Sequence, residues 1–248
     1  MNKIALQALM AVAICVVAFM CYRSIQKPIE FEAAKEKRQA AVVAKLIDIR
    51  QAEVYFKDVN GHYTSSFDSL KTFIKTGQKL TVKKQGTITD QQLEKGLTEL
   101  KAWKMVRDNK GEDAAKYGIE DFEAFCQYFR RDTMPESVLE IWSKAEIEEA
   151  TKLGRTVTTP IAQRIDNIDI VPMVENTKFE LQAVNLFNDK SGVYIPLFQA
   201  QVSNDNYLMG LERQEIVNMN KLAKDLEKYP GLRVGDITEP NNNAGNWE

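Results

Sequence analysis

Few residues in this chain have the type and spacing for chemistry. His62 is the single histidine. One imidazole cannot build a two-histidine metal site, and no serine–histidine–acid relay emerges from the spacing. Beside Gly61 it reads as a solvated turn residue. Cys126 stands among Phe122, Phe125 and Phe129, the setting of a buried small hydrophobe. Arg130, four residues on, could reach it along a helix and favour a thiolate, so a nucleophile is the alternative reading. Glu146, Glu148 and Glu149 read as the wet face of a helix. Asp58-Val59-Asn60-Gly61 begins like a calcium loop but lacks the ligand spacing and the closing glutamate. There is no glycine-rich phosphate loop or dinucleotide fingerprint. Trp103, Trp142 and Trp247 are too scattered for a base-stacking run. No catalytic, cofactor-binding or metal-binding residue is assigned, no cofactor is implied, and the expectation is a protein that is not an enzyme.

Composition narrows the partners. Lys and Arg number 33 against 35 Asp and Glu, for a net charge of -2, so no basic excess points to nucleic acid. Of the three cysteines, Cys15 and Cys21 fall in the apolar start. Cys126 is then the lone thiol of the remainder, unable to form an internal disulfide there, and no CxxC pair suggests zinc.

The partner that the sequence does specify is a bilayer. From Ile4 to Tyr22 every residue is apolar except Gln7, close to the ~20 residues a spanning helix needs. Lys3 precedes the run, Arg23 and Lys27 follow it, and Tyr22 suits the interface. A soluble core helix is rarely apolar on every face for five turns. The only small-x-small triplet in the run, Ala11-Val12-Ala13, lies mid-run, where cleavage would strand half of it. Ile14 and Met20 precede Cys15 and Cys21, where lipoprotein processing wants a small residue. The anchor is therefore expected to stay. The bases Arg23, Lys27, Lys35, Lys37 and Arg38 would hold the following segment in the cytoplasm under the positive-inside rule. The signal-like start argues the other way, and the expectation is a bacterial inner-membrane protein with its C-terminal domain in the periplasm.

Beyond the anchor, Ile29 to Asp58 is rich in Ala, Glu, Lys, Gln and Arg and free of Pro and Gly, which predicts a helical stalk stopped at Asn60-Gly61. Pro28 either begins this helix or kinks one continuous with the anchor. Phe31, Ala34, Ala41, Val42, Leu46, Ile49, Ala52 and Phe56 recur at helical steps as a narrow apolar stripe, interrupted at Arg38. Such a stripe must be covered, either by the chain's own globular part or by another subunit. In the second case Phe31, Val42, Leu46, Ile49 and Phe56 form the candidate interaction face, for self-association or for other envelope proteins.

These features together resemble type IV pilins and the pseudopilins of type II secretion systems: an apolar half-helix, a proline near the membrane exit and an amphipathic second half. The stretch Tyr55-Phe56-Lys57-Asp58-Val59-Asn60-Gly61-His62-Tyr63-Thr64 is similar to the segment that ends the pseudopilin helix. The likeness covers roughly the first quarter of the chain. It departs at the start: no glycine occurs before Gly61, and Gln7 stands about where pilins carry a glutamate, so prepilin cleavage is not implied. Ile49 to Leu70 and the ending from Tyr229-Pro230-Gly231 through Asn241-Asn242-Asn243-Ala244-Gly245-Asn246-Trp247-Glu248 also resemble an uncharacterised family of single-pass bacterial envelope proteins, which implies no activity. The resemblance implies a structural or assembly component of a pilus- or secretion-like envelope system. The alternative is a monomeric anchored module binding an envelope peptide or glycan.

The expected fold is α+β: an N-terminal transmembrane helix (1–23) running into a long helical stalk (24–60), then a globular part with a small antiparallel sheet and flanking helices. Residues 61–165 read as mostly helical, with helices at Phe67–Ile74 (capped by Ser65 or Ser66), Asp90–Trp103 after Thr89, near Ile119–Phe129 and at Lys144–Leu153, and a strand at Lys79–Lys84. Residues 166–248 read as α+β: strands at Ile168–Val174, Lys178–Phe187, Val193–Val202 and Leu232–Asp236, a turn at 188–192, and a helix at Glu212–Lys228. Pro172 and Pro196 push their strands toward an edge or a bulge. The Asn- and Gly-rich final ten residues read as a disordered or surface tail.

Overall fold

Lys3 to Asn60 form one helix, α1, that includes Pro28 without a break; at ~1.5 Å per residue it is about 87 Å long. The computed structural model describes residues 3–188 and 192–248. Gly61 ends α1 in the left-handed region (φ 78°) and donates its N–H to the Lys57 carbonyl at 2.7 Å. The remaining elements are α2 (Phe67–Thr76), β1 (Gln78–Gln85), α3 (Asp90–Glu94), α4 (Glu99–Arg107), α5 (Phe122–Tyr128), β2 (Arg130–Ser137), α6 (Val138–Lys152), α7 (Ile161–Arg164), β3 (Glu180–Asn188), β4 (Val193–Ser203), α8 (Asn204–Tyr207), α9 (Arg213–Asp225) and β5 (Gly231–Gly235). The fold is α+β as expected, but it carries two small antiparallel sheets, one in each of two units.

The first unit comprises residues 1–75 and 156–248. Its sheet runs β3-β4-β5, with Ala183 opposite Phe198 and Ala200 opposite Val234. Alternation along β4 turns Phe198, Ala200 and Val202 to one side, all buried together with Leu232 and Val234 of β5. The second half of α1 packs on β4 and β5. Leu70 and Ile74 of α2, with Ile161, Ile165 and Ile168, complete the core. Pro196 sits in the central strand, yet β5 covers β4 only from Gln199 to Ser203. Opposite Pro196 that side of the strand is locally an edge, where a missing N–H costs no ladder bond.

One expectation fails in this unit, and another settles on one of its two forms, since the final residues are a surface tail rather than a disordered one. Residues 168–174 are not a strand: Pro172 is followed by Met173 at φ 62°, and Asn176 sits at φ 55°. The chain folds back there so that Ile170 bridges Lys178. The last residues are not loose either. Gly245 bridges Val234, and the Asn246 amide donates to the Gly231 carbonyl at 2.9 Å while its oxygen accepts from Arg233 N at 3.0 Å, so the tail lies along the free edge of β5. The 188–192 turn falls largely on 189–191, outside the described residues.

The second unit, residues 76–155, is a two-stranded ribbon, β1 with β2, beside short helices. Leu97, Ala102, Ala114, Ile119, Phe125 and Phe129 form its core. The predicted helix 90–103 is two helices: Thr89 and Gln92 make a reciprocal capping box on α3, Gly96 turns the chain, and Thr98 caps α4. Sequence reading missed β2 altogether. Arg130-Arg131-Asp132-Thr133-Met134-Pro135-Glu136-Ser137 has no apolar alternation, because the ribbon buries almost nothing through it.

Candidate functional site

The two halves of α1 differ in what surrounds them. Every side chain from Met10 to Ser24 is exposed, and by length and composition α1 contains an apolar window that could cross a membrane. It is one candidate spanning segment near the N-terminus. The second half is enclosed: Val42, Leu46, Ile49 and Ala52 are wholly buried, Phe31 is 6% exposed, and Phe56 stacks edge-on against Phe73 at 5.0 Å.

Four of the five residues named as a partner face are therefore interior. Phe31, Val42, Leu46 and Ile49 meet the chain's own first unit, the first of the two coverings that the stripe allowed, and Phe56 is half-buried. Burying each aliphatic side chain stabilises the unit by about 1.5–3 kcal/mol. Arg38, the interruption in the stripe, has a task of its own. Its Nη1 donates to the carbonyls of Tyr207 (3.2 Å) and Met209 (2.7 Å), satisfying oxygens at the end of α8 that the helix leaves unpaired.

Ionic contacts tie the same helix to its unit along its length. Lys27 Nζ meets Glu212 Oε2 at 3.0 Å, Lys45 donates to the Asn167 carbonyl at 2.6 Å, and Arg50 meets Glu248 at 2.6 Å. Asp169, its side chain 5% exposed, is held by Lys71 and Lys178. Burial opposes its ionisation, but the hydrogen bonds from the two lysines outweigh that and keep the carboxyl below its usual range.

Glu53 is the one buried acid of α1. Its Oε2 accepts from Thr64 N at 3.1 Å, while Oε1 has no hydrogen-bond partner among the described residues. Burial pushes its pKa up to about 8, only partly offset by the Thr64 bond. It lines neither of the grooves described below and so stands as a structural acid.

In the second unit an open groove of about 460 Å³ is lined by Val82, Glu99, Leu100, Trp103, Arg131 and Thr133. Pairing of Val82 with Thr133 and of Lys84 with Arg131 puts these side chains on one face of the ribbon. A second groove of similar size, lined by Lys84, Ile88 and Leu93 among others, shares Glu99 and Arg131. The dividing wall is a built ion pair. Arg131, its side chain 6% exposed, donates to Glu99 Oε1 (3.0 Å) and to the carbonyls of Gln85, Arg130 and Gly86, with its guanidinium 3.8 Å from the Phe129 ring centre. Hydrogen bonds from Lys84 and Arg131 hold the Glu99 carboxyl below its usual range. The arrangement suits an apolar ligand group lying over Val82, Leu100 and Trp103. Sequence reading overlooked it because Arg131 and Thr133, which close it, come from β2.

The other sequence candidates are not brought together. His62 is exposed, its Nδ1 3.0 Å from the Asn60 carbonyl and its ring edge-on to Phe56. Cys126 is half-buried, and burial, aided by Glu123, raises its thiol pKa, away from a reactive thiolate. Arg130 lies beyond the end of α5, in β2, where it stands 3.9 Å from Asp132. Among the described residues no three of His, Cys, Asp or Glu gather as a metal site. Comparison with protein-family models, with curated proteins and with solved structures finds no match to this chain.

Proposed function

We propose that the chain is a single-pass, membrane-anchored structural or assembly component of a bacterial cell-envelope system, pilus- or secretion-like, with its globular units on the periplasmic side of the inner membrane. One observation carries this reading: α1 passes unbroken from an apolar part that is exposed from Met10 to Ser24 into a second half packed in the first unit. A single rigid element then links bilayer and domain, so position or force at one end is delivered to the other. Because Val42, Leu46 and Ile49 are already covered, subunit contacts through α1 would fall in the apolar half.

Cys15 and Cys21 stand exposed there and serve as native probes. Oxidative cross-linking in membranes should give a covalent dimer that disappears in Cys15→Ala/Cys21→Ala. A chain that stays monomeric under oxidation, and that co-purifies with no other envelope protein, defeats the assembly reading. The groove over Trp103 favours a second reading, an anchored binding module. In that case Trp103→Ala abolishes ligand capture while the fold, followed by circular dichroism, is unchanged.

A further inference from the structure

The groove over Trp103 opens on an exposed apolar surface with a one-sided charge. Leu80, Val82 and Lys84 alternate onto one face of the β1–β2 ribbon, and Val82 lines the groove with Leu100 and Trp103 of α4. Leu80 is 70% exposed and Leu100 60%, and apolar surface gathered in this way marks a contact with another molecule. Charge says of what kind. β1 and α4 carry six Lys and Arg between them and a single acid, Glu99. Lys84 (3.1 Å) and Arg131 (3.0 Å) both hold that carboxylate, and Asp108, which caps α4, is held by Arg107 at 2.8 Å. Asp90 and Glu94 belong to α3, which lines the second groove and not this one. The surplus is positive, and it suits an apolar ridge flanked by carboxylates. Two grooves set face to face would oppose like charges, which disfavours a groove-to-groove pair.

The same unit carries such a ridge on α6. Val138 and Trp142 are the buried residues of that helix. Ile147 follows Trp142 by five positions, about 140° round the helix, and is 57% exposed. Glu140 lies about two turns before it on the same side, and Glu146 and Glu148 adjoin it in the chain. Lys144, the base among them, is held by Glu136, and Lys152 lies about 140° round from Ile147. Groove and ridge also stand on opposite sides of the ribbon. Arg131 of β2 bonds Glu99 of α4, whereas Glu136, five residues on and so on the other face, accepts from Lys144 of α6.

We infer that the Trp103 groove of one copy of the chain receives the Ile147 ridge of α6 from a second copy. This rests on the assembly reading and deepens it, since it names a subunit contact outside α1. Laying the apolar side of a helix into an apolar groove is a common mode of recognition, and the acids beside Ile147 would meet the basic rim of β1 and α4. The two surfaces are different and face apart, so the contact is heterologous. Each copy keeps one surface unfilled, and the arrangement continues into a row or closes as a ring instead of stopping at a dimer.

The test uses the full chain in membranes, with Cys15, Cys21 and Cys126 replaced by alanine. Two differently tagged forms are co-expressed, one with Val82→Cys and one with Ile147→Cys, both at exposed positions, and treated with a short bismaleimide. The expected product is a mixed dimer, with little product from either form alone. One chain carrying both cysteines should give a ladder beyond the dimer. Lys104→Glu or Glu148→Lys, each at an exposed position, should lower the mixed yield severalfold. If Val82→Cys links mainly to itself, or if the mixed yield ignores both charge reversals, the inference is overturned. If no mixed dimer forms while native Cys15 and Cys21 still cross-link, the inference falls and the assembly reading stands. If neither pair cross-links, the two fall together.

Discussion

Asp48 and Arg164 meet as a two-point ion pair: Nε donates to Oδ2 at 3.1 Å and Nη2 to Oδ1 at 3.0 Å, with both side chains mostly buried. The pair joins the middle of α1 to the end of α7, 116 residues away in sequence. Fork-to-fork geometry makes this a strong contact. Asp48→Ala should cost the first unit about 2–3 kcal/mol, read as a lowered denaturation midpoint in detergent. Arg164→Ala in that background should add little, since the two sites are coupled.

The stripe on α1 behaves as core. Leu46→Ala removes a wholly buried side chain and should destabilise the first unit by about 2–5 kcal/mol. Cysteines at Val42 or Ile49 should resist labelling until the protein is denatured, whereas one at the exposed Lys37 should react at once. Rapid native labelling at Val42 would show that the sheet does not cover the helix.

Glu53 sets a pH dependence. Its folded pKa, about 8, lies above the ordinary glutamate value of 4.5, so the folded chain holds a proton that the unfolded chain releases. The resulting stability is fully present below about pH 4.5 and declines as pH rises through about 8. Glu53→Gln keeps an acceptor for Thr64 N and should gain up to about 3 kcal/mol at pH 7. Guanidinium unfolding at several pH values checks this: the slope across that window should be lost in the variant.

Arg131 knits β1, β2 and α4 together through Glu99 and three carbonyls. Arg131→Ala should destabilise the second unit by about 3 kcal/mol, seen as faster amide exchange in residues 78–85 and 130–137. Arg131→Lys should rescue little, because an ammonium cannot reach several acceptors in one plane.

Much of α1 was legible in the residues. Hydropathy from Ile4 to Tyr22 interrupted only at Gln7, helical spacing from Phe31 to Phe56 and the Asn60-Gly61 stop are local signals, and α1 spans all three. Strands β1, β3, β4 and β5 were readable because their alternation or turn chemistry is local too. β2 was not, since its pairing partner lies about 50 residues earlier and its own side chains are charged and wet. Residues 168–174 misled because apolar residues with one proline read alike as a strand and as a tight turn; the positive φ of Met173 is a tertiary fact.

The chain's own letters determined that an apolar helix leads into an amphipathic one, since periodicity and composition act within a few residues. They did not decide what covers the stripe, because an apolar face requires burial without naming its partner. The tertiary structure supplied β4 and β5 as that cover, gave Arg38 its two carbonyls, and assembled the Trp103 groove from segments that meet only in the folded chain. Packing is a relation between distant residues, and it exists only once the chain has closed on itself.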